Sequence, residues 1–359
     1  MTSLEHEKPN VRPRIAVGLS GGIDSAVAAL LLQEQGHEVI AVTLRMKACG
    51  DEAAVAQAGA VAAQLGIRHE VADCRARFES TVMRPCWDAF ERGATPNPCV
   101  LCNASMKFGE MLTVAQALGA SLVATGHYAR LAFDAQGRPL LRRGLDPNKD
   151  QTYFLHAVSP ETLRHVRFPL GGLAKPDVRA IAAAHGLVNA KSAESQDICF
   201  AGPDGHFAEQ LRQQFHGRAI PGVFVDEDGK VLGRHAGIHQ YTIGQRRGMG
   251  FATGARVKII AINPATGTII VSGRPEAACA PTCHAENFCW HREPLAVGAR
   301  MAAQVRYRQK AVTATLEAVE DGERTVRVRF DEPVFGVTPG QSLVLYDGDL
   351  VLGGGSIVR

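Results

Sequence analysis

Gly18-Leu19-Ser20-Gly21-Gly22-Ile23-Asp24-Ser25 joins a short apolar run, Ile15 to Leu19, to an Ala- and Leu-rich stretch, Asp24 to Gln35, whose apolar residues recur at helical spacing. Strand, glycine turn and helix follow one another without a spacer. Glycines allow a tight turn that offers backbone N–H groups to an anion, and the helix N-terminus behind them adds a favourable dipole. The stretch therefore predicts a phosphate site at the first crossover of an α/β sheet. It has no Lys before its hydroxyl residue, as a Walker A loop requires, and no G-x-G-x-x-G spacing.

Outward from this turn the pattern repeats. Gly36 is placed to stop the first helix, and Val39 to Leu44 reads as the next strand. A helix over Glu52 to Leu65, a strand over Ile67 to Val71, a helix over Phe78 to Phe90 and a strand over Leu122 to Thr125 follow, then a helix over Lys175 to His185 with Pro176 in its first turn. Such alternation predicts a doubly wound parallel α/β sheet. Beyond residue 215 short β-rich runs separated by Gly and Asp turns take over, and Met301 to Val305, Thr313 to Leu316, Thr325 to Phe330 and Ser342 to Tyr346 predict a β-barrel. The expected division is a catalytic domain over 1–212, a small β domain over 213–276 and a C-terminal barrel over 277–359.

The 359 residues are 46% hydrophobic, enough for proper cores, and no apolar run approaches the ~18 residues of a membrane span. The polar start lacks the apolar stretch of a signal peptide, so a cytoplasmic protein without a membrane partner is expected. In that setting nine cysteines read as thiols or metal ligands, not as a disulfide framework. A net charge of +3 does not by itself demand a polyanionic partner, although basic residues gather at Arg142 and Arg143, at Arg246 and Arg247, and across Arg306 to Lys310.

SGGIDS resembles the PP-loop of ATP pyrophosphatases. That likeness implies ATP held by Gly18, Leu19, Ser20, Gly21, Gly22, Ile23, Asp24 and Ser25, cleavage between the α and β phosphates, and adenylation of a carbonyl oxygen. Asp24 offers hard carboxylate oxygens to Mg²⁺ or its waters. Adenine is expected over the carboxyl ends of neighbouring strands, near Leu44 and Gly126, both of which read equally well as core or turn residues.

Thr95-Pro96-Asn97-Pro98-Cys99-Val100-Leu101-Cys102-Asn103 reads as an exposed, proline-bounded loop carrying a C-x-x-C pair, and Cys199 stands in a second turn-rich stretch. Spacing alone fits reactive thiols and inert buried ones alike. Cys49, Cys74 and Cys86 fall in or beside core segments and are expected to be packed. Cys279, Cys283, His284, Cys289 and His291 are dense, but C-x3-C-x5-C is not a usual zinc spacing.

Taken together, SGGIDS, TPNPCVLCN, ATGHYAR, KDQTYFL, KSAESQDICF and IGQRRG resemble the bacterial tRNA-specific 2-thiouridylase family from about Arg14 onward. The resemblance implies that ATP adenylates the C2 oxygen of a wobble uridine in tRNA, and that sulfur from a donor protein or sulfide replaces it. It further implies a persulfide on Cys199 and a releasing thiol at Cys102. Where the family usually places Asp, this chain has Cys99. Cys99, Cys102 and Cys199 could instead hold a [4Fe-4S] cluster with one iron open to sulfide, and both schemes stay open here. By the same resemblance Asn97, Pro98 and Cys99 face the target base, while His127, Lys149, Asp150, Gln151, Arg306, Tyr307 and Gln341 contact tRNA. Competing readings are a PP-loop ligase that transfers nitrogen, which needs no paired thiols, and a noncatalytic tRNA-binding protein.

Overall fold

The computed structural model describes residues 12–46, 51–190, 207–252, 254 and 256–358. Runs such as Ile15-Ala16-Val17 are almost wholly buried, as strands covered on both faces must be. Strands β1 (Ile15–Gly18), β2 (Val39–Arg45), β3 (Arg68–Asp73) and β4 (Leu122–Ala124) are parallel, with Ile15 opposite both Val39 and Leu122. Helices α1 (Ile23–Glu34) and α2 (Glu52–Leu65) cover one face, where Ala26, Val27, Ala58 and Val61 share a core with Ala41.

Next come α3 (Arg75–Phe78), a π-helical turn at Glu79–Met83, and α4 (Arg84–Glu91), where a single helix over Phe78 to Phe90 was expected. Helix α5 (Pro98–Cys102) leads through a second π-helical stretch, Asn103–Glu110, into α6 (Met111–Ala117). Met111 and Ala115 pack with Ala16, Ile40 and Val123 on the other face of the sheet. The helix at Pro98–Cys102 corrects the expected loop: Pro98 falls at the first helical position, where its missing N–H leaves no intrahelical bond unmade.

A hairpin, β5 (Ala129–Phe133) and β6 (Pro139–Arg143), was not foreseen. After α7 (Pro160–Arg164), β7 (Val166–Arg167) completes a five-stranded sheet ordered β3-β2-β1-β4-β7, and α8 (Lys175–Ala184) packs on α1. This is the expected doubly wound architecture.

Helix α9 (Phe207–Gln214) leads into a small sheet of β8 (Gly222–Val225), β9 (Val231–His235), β10 (Lys258–Asn263) and β11 (Thr268–Ser272) around Phe224, Ile259 and Ile269. The remaining strands are β12 (Cys279–Trp290), β13 (Arg300–Gln304), β14 (Val312–Glu320), β15 (Thr325–Phe335), β16 (Ser342–Asp347) and β17 (Leu350–Val358). They run β12-β15-β14-β13-β16-β17, and pairing of β17 back onto β12 closes a barrel filled by Leu316, Phe330 and Leu343. Strand β6 also pairs with β17, so the hairpin ties the first sheet's connection to the barrel. Arg130 and Arg142 grip Asp349 at 2.6 and 2.5 Å across that seam. Among the described residues no helix is long and apolar enough to cross a membrane.

Candidate active site

The glycine turn sits where β1 ends. The Ser25 hydroxyl donates to the Gly22 carbonyl at 3.0 Å and accepts the Ser20 N–H at 3.2 Å, which folds the turn back on the first turn of α1. Gly21 has φ +80°, and a Cβ there would come within 2.9 Å of the Ala54 carbonyl, so the bend needs glycine. No side chain caps α1 at Gly22, which leaves the positive end of the helix to an anion.

Across the sheet, Gly126 comes so close that a Cβ would meet Asp24 C at 2.7 Å and Ser25 N at 2.8 Å. Leu44, at the carboxyl end of β2, is half-buried and packs against the sheet's α6-covered core.

Asp24 is already engaged. The ammonium of the buried Lys175 donates to its Oδ1 at 2.6 Å and its Oδ2 at 2.7 Å, and the Tyr128 hydroxyl donates to Oδ1 at 2.8 Å. Asp24, expected to handle Mg²⁺ or its waters, is one member of a charge pair at the mouth of the turn. Oxygen donors suit a hard cation, and a lysine beside a cradle of N–H groups suits phosphate, so the side chains present fit a magnesium triphosphate. Buried Asn189 adds a bond from Nδ2 to the Gly21 carbonyl at 2.8 Å. Lys175, Tyr128 and Asn189 escaped sequence reasoning. Lys175 stood only as a helix-start residue, for which a solvated surface is the ordinary explanation.

The two thiols of the C-x-x-C pair lie on α5. Cys99 is half-buried; Cys102 is 4% exposed and so is not the exposed loop thiol the sequence suggested. Cys102 packs with Cys74, Phe78, Val82 and Met106, and Leu44 and Met46 from the carboxyl end of β2 lie against the same cluster. The thiol helix and the glycine turn thus border the same edge of the parallel sheet. Cys199 and Cys49 lie outside the described residues.

Burial raises the pKa of four other thiols. Burial pushes the Cys86 thiol up to about 12, with Cys99 and Cys102 nearby adding to the rise. Cys74 goes up to about 11, again by burial first and then by Glu110 and Asp73. Burial alone lifts Cys283 to about 12 and Cys289 to about 11. Among the described residues no group of three or more His, Cys, Asp or Glu side chains is arranged to hold a metal, and that includes the stretch from Cys279 to His291.

The residues expected to touch tRNA divide by environment. Asn97 is half-buried just ahead of α5, and Pro98 is buried. His127 is 7% exposed, bonded through Nδ1 to the Thr125 hydroxyl at 2.7 Å and packed edge-on to Phe168, and burial holds it neutral, well below the usual imidazole range. Asp150 is also buried and spends its oxygens on Arg143, the Gly144 N–H and the Thr152 hydroxyl. Both side chains are buried and bonded within the protein. Lys149 is half-buried, and Gln151 accepts the Tyr128 N–H at 2.9 Å.

On the barrel, Arg306 donates to the Ile243 carbonyl at 3.0 Å, and burial lowers its pKa. Tyr307 packs at a 48° tilt on Phe154, with centroids 4.4 Å apart. Gln341 donates to the Thr95 carbonyl at 3.0 Å and the Pro96 carbonyl at 3.4 Å. Of the basic clusters, Arg142 and Arg143 are bonded to Asp349 and Asp150, whereas Arg246 and Arg247 are exposed.

Comparison with known proteins gives three consecutive family matches. Residues 13–203 match a family described as the tRNA methyl transferase HUP domain, 210–273 its PRC-barrel domain, and 281–357 an aminomethyltransferase beta-barrel domain. The chain is 43% identical over 360 residues to the tRNA-specific 2-thiouridylase MnmA of Synechococcus sp. (strain JA-3-3Ab), covering 97% of this chain and 94% of that protein. It is 42% identical to the protein of the same name from Rippkaea orientalis, over 96% of this chain and 99% of the relative. A third, from Caldanaerobacter subterraneus subsp. tengcongensis, is 40% identical over 97% of this chain and 99% of its own.

Proposed function

The chain belongs to the tRNA-specific 2-thiouridylase MnmA family, and from that premise we propose that its glycine turn holds ATP while Cys102 and Cys199 deliver sulfur to the wobble uridine of tRNA. It is a sulfurtransferase that forms 2-thiouridine in tRNA. The observation that carries the finer reading is the carboxyl end of the parallel sheet: the glycine turn follows β1 there, and Leu44 and Met46 from the end of the neighbouring β2 lie against the Cys102 cluster.

The uridine C2 carbonyl is a poor electrophile because hydroxide or oxide would have to leave. Attack of its oxygen on the α phosphorus of ATP expels pyrophosphate and converts that oxygen into part of a phosphoester. AMP then becomes the leaving group. Within Gly18 to Ser25 the N–H groups of the first turn of α1 are the donors proposed for the phosphates, with Lys175 as the nearby cation and Asp24 as the carboxylate for a hydrated Mg²⁺, which would neutralise the phosphates when bound. Gly126 lets the end of β4 close on the turn without a side chain intervening.

For sulfur transfer, a persulfide on Cys199, loaded by a donor protein, attacks C2 through its terminal sulfur and AMP leaves with the former uridine oxygen. The Cys102 thiolate then attacks the Cys199 sulfur, breaking the S–S bond; the base keeps a thiocarbonyl and the two cysteines form a disulfide that a reductant reopens. Burial of Cys102 among apolar side chains supports a thiol shielded from solvent until substrate arrives. The base itself must leave the anticodon stack to reach such a site, and the half-buried Asn97 and Cys99 are the polar groups proposed to meet it. Lys149, Gln151 and the exposed Arg246 and Arg247 are proposed for the RNA backbone. The proposed setting is the cytoplasm, where thiols stay reduced.

A second reading keeps Cys99, Cys102 and Cys199 as ligands of a [4Fe-4S] cluster, favoured only by Cys99 sharing the short helix with Cys102. Mass analysis of tRNA nucleosides after incubation with ATP, Mg²⁺ and a sulfur source tests the function. Absence of 2-thiouridine, or AMP release that depends on ammonia or an amino acid without RNA, defeats it. Iron and acid-labile sulfide analysis after anaerobic purification separates the two sulfur schemes, since active enzyme free of iron excludes the cluster.

A further inference from the structure

The thiol helix α5 is held at both ends by contacts that lead to the C-terminal barrel. At its front, the Thr95 N–H donates to the Pro339 carbonyl at 2.8 Å, and the Gln341 amide returns bonds to the carbonyls of Thr95 and Pro96. Gly340 lies between those anchors with φ +88°, and a Cβ there would meet the Thr95 carbonyl oxygen at 2.7 Å. The approach is close enough that only glycine fits.

This barrel turn is itself rigidly based. Gly340 N–H donates to the Ile357 carbonyl at 2.9 Å, and Ile357 N–H donates back to the Gln341 carbonyl at 2.7 Å, which fastens the turn to β17. One residue on, Ser342 takes and gives bonds with the Tyr153 hydroxyl, at 3.1 Å through its carbonyl and 3.2 Å through its N–H.

At the back of α5, Asn103 donates from Nδ2 to the Phe154 carbonyl at 3.0 Å. Phe154 packs at a 48° tilt on Tyr307 of the barrel, and the Val305 carbonyl, 3.2 Å from the Tyr153 hydroxyl, is a second acceptor within reach of its one proton. Two short barrel segments, 305–307 and 339–342, therefore bracket the helix that carries Cys99 and Cys102.

We propose that the barrel turn Pro339–Gln341 is a latch that fixes the thiol-bearing helix Pro98–Cys102 in its reactive place, and that Gln341 is a positioning residue acting through the carbonyls of Thr95 and Pro96. The inference deepens the sulfurtransferase reading and rests on it for the meaning of "reactive". The amide of Gln341 is directed at protein carbonyls, so its loss is felt by α5 whether or not RNA is present. Displacing a reacting thiol by about 1 Å is enough to cost orders of magnitude in rate.

The test uses the full chain with Gln341→Glu, which keeps the shape but removes the donor, and Gly340→Ala, which intrudes on Thr95. Without tRNA, hydrogen exchange at the Thr95 amide and across residues 98–103 is expected to quicken roughly tenfold, because a locally opened segment loses protection while the rest of the chain keeps it. Iodoacetamide labelling of Cys99 and Cys102, read by peptide mass, is expected to rise with it. With tRNA, kcat for 2-thiouridine formation falls roughly tenfold while KM for tRNA stays within about twofold, since the loss is one of alignment.

Unchanged exchange and labelling in both variants would overturn the latch. So would weakened tRNA binding with exchange unchanged, which makes Gln341 an RNA contact instead. If one variant fails to fold, the other carries the same readouts. Should the wild-type chain make no 2-thiouridine, the sulfurtransferase reading fails, while exchange and labelling still decide whether the barrel holds α5.

Discussion

The Lys175 ammonium reaches both carboxylate oxygens of Asp24, at 2.6 and 2.7 Å, across 151 residues of sequence. Lys175 is 7% exposed, and a buried ammonium without its counter-charge is costly, so the pair holds helices α1 and α8 in one arrangement at the mouth of the glycine turn. A triphosphate in that turn presents a second anion to the same lysine. Charge balance at the site is thus set before ATP arrives.

Replacing that lysine tests its part in the chemistry. In Lys175→Met, tRNA-dependent pyrophosphate release is expected to fall by about two orders of magnitude, the scale of losing one charged stabiliser of the transition state. Stability is expected to drop by about 1–3 kcal/mol, because the half-exposed Asp24 keeps some water. A pyrophosphate-release assay and a thermal melt measure the two separately, and unchanged pyrophosphate release would remove Lys175 from the site.

Gly126→Ala puts a methyl group 2.7 Å from Asp24 C and forces β4 away from the turn. KM for ATP is expected to rise roughly tenfold, with tRNA affinity unchanged, since a misplaced phosphate cradle loses orientation and not RNA contact. Titration of pyrophosphate release against ATP at saturating tRNA checks it.

Cys102→Ser swaps a thiol for a hydroxyl in an apolar cluster. A loss of 2-thiouridine below detection is expected, together with a stability cost of about 1–3 kcal/mol for burying the hydroxyl. Adenylation should survive, so pyrophosphate release that persists without thiolation is the distinguishing result. Cys199→Ala is expected to behave the same way in nucleoside mass analysis.

Acid should unfold the barrel seam. His156 and His291 are buried, with His291 Nε2 2.8 Å from the His156 carbonyl; burial drives their pKa values down to about 3 and about 4, with His291 lowering His156 further and the His156 carbonyl partly offsetting the fall at His291. In the unfolded chain both titrate near the ordinary imidazole value, so between that value and the folded ones the unfolded state binds more protons. The stability they allow is complete above about pH 6.5 and is lost as pH falls, by about 2 kcal/mol for each ring at pH 5. Urea melts at pH 7.5 and 5.0 measure the difference, and His291→Asn should flatten the slope.

The alternation of strand and helix up to β3 was readable because buried parallel strands are continuous apolar runs and the first helix carries its own stop at Gly36. The glycine turn was readable for the same reason: its function requires a backbone shape that few residues can take. Helix α5 was hidden because Pro96 and Pro98 look like breakers, and only the position of Pro98 at the helix start reconciles them. The hairpin β5–β6 had a signal in its Asp134 to Gly137 turn, but Arg130, Arg142 and Arg143 masked its apolar face until their acidic partners were in view. The pairing of Lys175 with Asp24, and of Gln341 with Thr95, joins residues that no local pattern relates.

Strand β6 finds its partner in β17, and Arg142 meets Asp349 across 207 residues. During synthesis the hairpin emerges long before the strand that covers it, and for that interval an unpaired edge hangs from an otherwise finished nucleotide-binding half. A chain released before β17 is made would carry Arg142 without Asp349, at an edge open to other strands.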